Sequence, residues 1–143
     1  GAQPEPDVTE TPEPTPEQPA GTVIGSGAFD SATGVGLNTH TVWTAAEQPD
    51  GSVKLTLSVY ARSYTMEIGR RAIGISVNGA EASGMTRSFS VNSPNAQTDT
   101  LIYSYATTVE KGSVTISVDW NYKGQYSGQE LDVISSSTII PIS

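Results

Sequence analysis

The chain is 143 residues long, 36% hydrophobic and free of cysteine, with 15 acids against seven bases and a formal charge of −8. Lacking cysteine, it has neither disulfides nor thiolate metal sites, and no apolar run approaches the ~20 residues of a membrane-spanning helix. The acidic balance argues against nucleic acid and anionic membrane surfaces as partners.

Residues 1–20, GAQPEPDVTETPEPTPEQPA, hold six of the nine prolines and five carboxylates, with no base and no aromatic side chain. Such a stretch buries too little apolar surface to offset the backbone entropy of ordering, about 1–2 kcal/mol per residue. Alternating proline favours extended polyproline II, and like charges extend the chain further. The stretch is predicted to be a disordered Pro/Glu/Thr-rich stalk. Gly1-Ala2-Gln3 reads as a trimmed start, which predicts an export signal upstream, one version of which ends in a lipid-attached cysteine. Residues 21–143 form the predicted domain, with ten acids against seven bases and a net charge of −3.

Strand patterns follow in chain order. Val23–Phe29 is an opening strand. Leu37–Ala45, rich in Thr and aromatic residues, is predicted to pair with Val53–Arg62 as a hairpin across 46–52. In the second of these, Val53, Leu55, Leu57, Val59 and Ala61 share one face, and Lys54, Thr56, Ser58, Tyr60 and Arg62 share the other, the period of a half-buried strand. Pro49-Asp50-Gly51 supplies the turn, Pro fixing φ and Gly permitting positive φ.

Ile73–Val77 alternates into Asn78-Gly79, a type I′ turn pair, with 80–91 as the return strand and Phe89 and Val91 inward. Ser93-Pro94-Asn95 breaks the chain before a strand over Thr100–Val109. After Lys111-Gly112 comes Val114–Trp120, in which Val114, Ile116, Val118 and Trp120 share a face. Lys123-Gly124 and Ser127-Gly128 mark a loop. Leu131–Ile134 and Ser137–Ile142 finish the domain, with Pro141 implying an edge strand. The pattern predicts an all-β fold, an antiparallel immunoglobulin-like β-sandwich of about seven to nine strands. A jelly roll or closed barrel fits the same strand count.

His40 is the sole histidine and has no His or Cys companion, so a catalytic triad or metal reading has nothing to rest on beyond this one residue. Glu130 and Asp132, two apart on a strand, and Asp119 beside Trp120 are the carboxylates that a glycoside hydrolase would use; solvated strand faces carry the same residues. Asp30-Ser31-Ala32-Thr33-Gly34 and Asp119-Trp120-Asn121 offer oxygen ligands to calcium, but with too little charge for a hard cation, and an Asx turn closing onto Gly34 is expected instead. No catalytic residue, metal or cofactor is therefore predicted. The candidate ligand-binding residues are Tyr60, Arg62, Tyr64, Tyr122 and Tyr126, because exposed rings beside polar groups grip sugars and peptides. Trp120 belongs to the core, and Arg70-Arg71 reads as a solvated loop pair.

The segment order Thr41-Val42-Trp43, Asp50–Val53, Arg62-Ser63-Tyr64, Ile75–Gly79, Leu101–Ser104 and Trp120–Gly128 resembles β-sandwich domains of surface or secreted proteins of gut Firmicutes. It is similar, more loosely, to immunoglobulin-like domains of phage tail and minor structural proteins. The resemblance implies a fold and a setting, and no activity or site residue. Together these readings predict a monomeric, non-catalytic, extracytoplasmic binding or adhesion module with a glycan or protein ligand. The alternatives are a structural spacer or virion domain, and a small hydrolase using Glu130 or Asp119.

Overall fold

Alternation of apolar and polar side chains carries the described residues through ten strands. The computed structural model describes residues 21–32 and 36–143, so the stalk expected over 1–20 and the turn expected at Gly34 lie outside the described residues. The first five strands are β1 (Thr22–Asp30), β2 (Leu37–Glu47), β3 (Val53–Ser63), β4 (Met66–Ile68) and β5 (Ala72–Val77). The rest are β6 (Ala80–Met85), β7 (Phe89–Val91), β8 (Thr98–Val109), β9 (Gly112–Tyr126) and β10 (Gln129–Ile142). There is no helix among the described residues, and so none long and apolar enough to cross a membrane.

The strands form two four-stranded sheets, ordered β1-β2-β3-β8 and β10-β9-β5-β6, and a two-stranded ribbon of β4 and β7. Every pairing is antiparallel. The first sheet begins as a meander; β5 and β6 make a hairpin in the second, β8 returns to the first beside β3, and β9 crosses again to pair with β5.

One apolar cluster joins the sheets. Val53, Leu55, Leu57, Val59 and Ala61 of β3 are all 0% exposed, as are Val114, Ile116, Val118 and Trp120 of β9. Trp43 spreads over β1, where a methyl group on Gly27 would lie 2.8 Å from its Nε1. On the open side, Tyr103 of β8 packs so tightly on Gly84 of β6 that no side chain fits there. Thr56 and Ser58, expected on a wet face, are buried because β3 is a central strand and β2 and β8 crowd their short side chains.

Turn chemistry fixes the hairpins. Asp50 Oδ1 accepts hydrogen bonds from the Ser52 backbone N–H (3.0 Å) and hydroxyl (2.7 Å), and Gly51 takes φ 90°. Those hydrogen bonds hold the Asp50 carboxyl below the ordinary carboxylate range. Asn78 and Gly79 adopt φ 52° and 85°, the type I′ pattern. The Asn78 backbone N–H donates to Thr115 O and its Oδ1 accepts from Thr115 N, both at 2.8 Å, so the side chain extends the β5–β9 ladder past the turn.

Three expectations need correction. The return strand over 80–91 is two strands in different sheets, β6 and β7, because Arg87 N–H bonds to Ile102 O and leaves the hairpin. Lys123-Gly124 is not a loop: β9 runs through it, Lys123 at φ 46° forming a bulge where the β10 register shifts between Leu131 and Val133. The last two strands are one continuous edge strand, in which Pro141 costs no ladder bond on the unpaired side.

The molecule thus has two poles. At one lie the tight connections 48–52, 78–79 and 110–111, together with the start of β1 and the end of β10 (Thr22 opposite Glu47, Ile142 opposite Gly112). At the other lie the longer connections 64–71 and 86–97, the Ser127-Gly128 turn, the end of β1 and the start of β2.

Replacing Leu57 by Ala is expected to lower unfolding free energy by about 2–5 kcal/mol in urea titrations. Thr41 is fully buried with no hydrogen-bond partner for its hydroxyl. Thr41→Val removes that unpaired group at nearly constant shape, so it is expected to raise stability, by about 1 kcal/mol in the same titrations.

Candidate functional site

The loop pole gathers most of the side chains with chemistry to offer. On the outer face of the first sheet, four neighbouring strands each contribute one charged or titratable group. Asp30 of β1 sits 2.6 Å from His40 Nδ1 of β2. Arg62 of β3 makes a two-pronged contact with Asp99 of β8, Nε to Oδ1 at 2.7 Å and Nη2 to Oδ2 at 3.0 Å. Arg62 Nη1 also approaches Asp30 Oδ1 at 3.8 Å, which links the two pairs. Strand register produces this row: Asp30 faces His40, and Asn38 and Asp99 flank Arg62. The guanidinium holds the Asp99 carboxyl below its ordinary value, chiefly through the hydrogen bonds, and Asp99 in turn raises Arg62.

Beside this row the chain turns inward at Gly36, which takes φ 82°. A methyl group there would come within 3.2 Å of Tyr126 Cε2 and 3.5 Å of Tyr64 Cδ2, so the two rings bracket the glycine. Gln97 Nε2 donates to the Gly36 carbonyl at 3.2 Å. Tyr64 is 39% exposed and is the open ring of the set.

The five sequence-predicted ligand residues therefore divide. Tyr64 is exposed, Tyr60 and Arg62 are half-buried, and Tyr60 lies 6.2 Å from the His40 ring. Tyr122 (3% exposed) and Tyr126 (9%) are not surface rings. The alternation that buries Val114–Trp120 continues past them because β9 does not end at Lys123. Tyr122 packs edge-on against Trp120 at 5.8 Å and donates its hydroxyl to Gln125 O at 2.7 Å. Burial pushes its hydroxyl above the ordinary value of 10. Trp120 lies in the core, against Phe89 at 6.5 Å.

The carboxylates singled out for hydrolysis sit apart. Asp119 lies in a shallow groove of about 350 Å³ with Glu81 and Ser83 and accepts a 2.7 Å hydrogen bond from Ser135. Glu130 and Asp132 border a different depression on the β9–β10 hairpin, where Lys123 is 3.8 Å from Asp132. Among the described residues no group of three or more His, Asp or Glu side chains could hold a metal ion. In the Asp30–Gly34 stretch, for which an Asx turn and no calcium is expected, Asp30 is engaged by His40 and Arg62, and 33–35 lie outside the described residues.

A second feature of this pole was hidden in the sequence. On the β4–β7 ribbon a shallow depression of about 520 Å³ is lined by Glu67-Ile68-Gly69 and Ser88-Phe89-Ser90. Arg71, expected to be merely solvated, is half-buried with its guanidinium 5.4 Å from the Tyr122 ring centre. Asn78-Gly79 reveals part of this arrangement: Arg71 and Thr86 lie at equal distances on either side of that turn, and Thr86 N–H donates to Arg71 O at 2.7 Å.

In comparisons with protein-family models, curated proteins and solved structures, the chain has no match.

The Asp99 carboxyl is depressed in the folded state, so the Arg62–Asp99 pair contributes stability that is full above the ordinary carboxylate value of 3.8 and is lost as pH falls through the lower folded value. Asp99→Asn is expected to flatten that acid limb of the stability curve, read by urea midpoints from neutral pH downwards. A double-mutant cycle with Arg62→Ala and Asp99→Ala should give a coupling of about 0.5–1 kcal/mol, the upper part of the range for partly exposed pairs.

Proposed function

We propose that this chain is a non-catalytic binding module that recognises a glycan at its loop pole and is displayed outside the cell. The observation that carries the reading is the asymmetry of the two poles. One end has only tight turns; the other collects every long connection, two of which pair as the β4–β7 ribbon, around the exposed Tyr64 and the Arg62–Asp99 row. Loops held at one end of a rigid sheet scaffold are a common place for recognition surfaces.

We infer an immunoglobulin-like β-sandwich from the strand order. β2, β3 and β8 correspond to strands A, B and E, and β10, β9, β5 and β6 to G, F, C and C′, with β1 added at the edge. Under that correspondence the loop pole is the end that carries the recognition loops of variable domains. The core tryptophan departs from that pattern, since Trp120 lies on the strand equivalent to F, and no disulfide joins the sheets. Display on a cell surface is supported by the composition of residues 1–20, which suits a spacer, and by the resemblance to surface proteins of gut Firmicutes.

The test is a glycan-array screen of the whole chain, followed by titration of the hits. Tyr64→Ala is expected to weaken binding about tenfold, the loss of roughly 1.4 kcal/mol of stacking. Lys111→Ala, at the opposite pole, is expected to leave it unchanged. Binding to no glycan, as a spacer or virion domain would behave, or binding indifferent to Tyr64, overturns the proposal.

A further inference from the structure

We propose that β10 is the interface for a second copy of this chain: two β10 strands pair antiparallel about Ser136, and the β10-β9-β5-β6 sheets of both copies join into one sheet of eight strands. The inference stands on this edge strand and does not depend on a glycan ligand.

The four sheet edges are not equal. β1, β8, β10 and β6 each have one unpaired side, and such a side offers backbone N–H and C=O groups to another strand unless charge, a bulge or brevity blunts it. β6 is six residues long and carries Glu81. β1 shifts register between Val23 and Gly25 and holds a second glycine at 27. β8 shifts register opposite Val59 and Tyr60, and its Ile102 carbonyl already accepts from Arg87 N–H. β10 runs for 14 residues, and from Val133 to its end no side chain is charged. Its outer face carries Val133 at 42% and Ile139 at 67% exposure, the latter the most exposed large hydrophobic side chain among the described residues.

The backbone sets the limits of the pairing. An edge strand accommodates proline with its nitrogen on the unpaired side, and successive residues of an antiparallel strand alternate in the side to which N–H and C=O point. Val133, Ser135, Ser137 and Ile139 therefore share the orientation of Pro141 and direct both groups outward. The ladder they offer stops at Pro141, which has no N–H, and at the register shift between Leu131 and Val133. Leu131 and Pro141 are equally far from Ser136 in sequence, so a twofold axis there brings the two stops opposite each other.

Side chains obey the same axis. With Ser136 facing its own counterpart, Val133 faces Ile139 of the second copy and Ser135 faces Ser137. Apolar meets apolar and hydroxyl meets hydroxyl, the kinds of cross-strand pair that stabilise sheets. Ser136 Oγ, buried with no hydrogen-bond partner, lies at the axis beside the same hydroxyl of the other copy. A slip of two residues sets Val133 against Ser137 in one direction and Ile139 against Ser135 in the other, so one register is preferred. A self-complementary patch of this kind closes as a twofold dimer. Because the strands run antiparallel, the loop poles of the two copies point in opposite directions and both stay open. A single ladder is small beside the roughly 1,200–2,000 Å² of stable complexes, so the dimer is weak and dependent on concentration.

The experiment is sedimentation equilibrium of the whole chain from about ten micromolar to about one millimolar. The mass is expected to rise toward two copies and no further. Ile139→Lys, which sets a charge against Val133 of the second copy, is expected to weaken association about tenfold or more. Met85→Lys, at an exposed apolar side chain on the β6 edge, should leave it unchanged. Both sites are exposed, and urea midpoints equal to wild type separate the effect from folding. Register has its own readout. The chain has no cysteine, so isotopically labelled Ser135→Cys mixed with unlabelled Ser137→Cys should form the mixed disulfide in excess over the two self-disulfides, since Cα atoms about 5.5 Å apart across an antiparallel pair can be bridged. A monomer throughout the range, growth beyond two copies, or association indifferent to Ile139→Lys overturns the inference. Disulfides in random proportion overturn it as well.

Discussion

The inner faces of β3 and β9 set the terms for the rest of the molecule. Each is a central strand of its own sheet, and each offers an unbroken series of apolar side chains at every second position. With period-two spacing, a slip of one residue in either strand would exchange that series for Lys54, Thr56 and Ser58 or for Thr115, Ser117 and Asp119. The register of both sheets is therefore locked from the centre outwards, and the neighbours have little freedom. β2 must present Trp43 against Leu57, and β1 must then supply glycine at positions 25 and 27 to leave room for the indole.

This constraint explains what could be read in advance and what could not. The faces of Val53–Arg62 and Val114–Trp120 were legible because burial on one side leaves a periodic trace in a single strand. Pro49-Asp50-Gly51, Asn78-Gly79 and Pro141 were legible because their backbone chemistry is local. Partition between sheets left no such trace, since a connection that crosses the core looks, residue by residue, like one that stays in its own sheet. Phe89 and Val91 point inward as their spacing predicts, but their strand pairs with β4 and not with β5. Tyr122 and Tyr126 were misplaced for a related reason. Lys123-Gly124 has the composition of a turn, yet the paired strand absorbs it as a bulge, and alternation carries both rings into the interior.

The charged groups follow from the same register. Asp30, His40, Arg62 and Asp99 are far apart in sequence and meet only because four strands align side by side on the outer face. Reading any one of them alone suggests a lone histidine, a calcium loop or an exposed arginine. Their mutual pairing instead ties the rim of the first sheet together beneath the connections of the loop pole, so that this end combines long segments with a firm base.

Strand parity also decides how the body meets whatever it is joined to. The described chain enters β1 and leaves β10 on the same side, the side of the tight turns. Copies threaded along one polypeptide would not stack like beads on a string. Each would hang from the thread as a lobe, with its free extremity outward, and lengthening the thread would change how far apart the lobes sit without covering their tips.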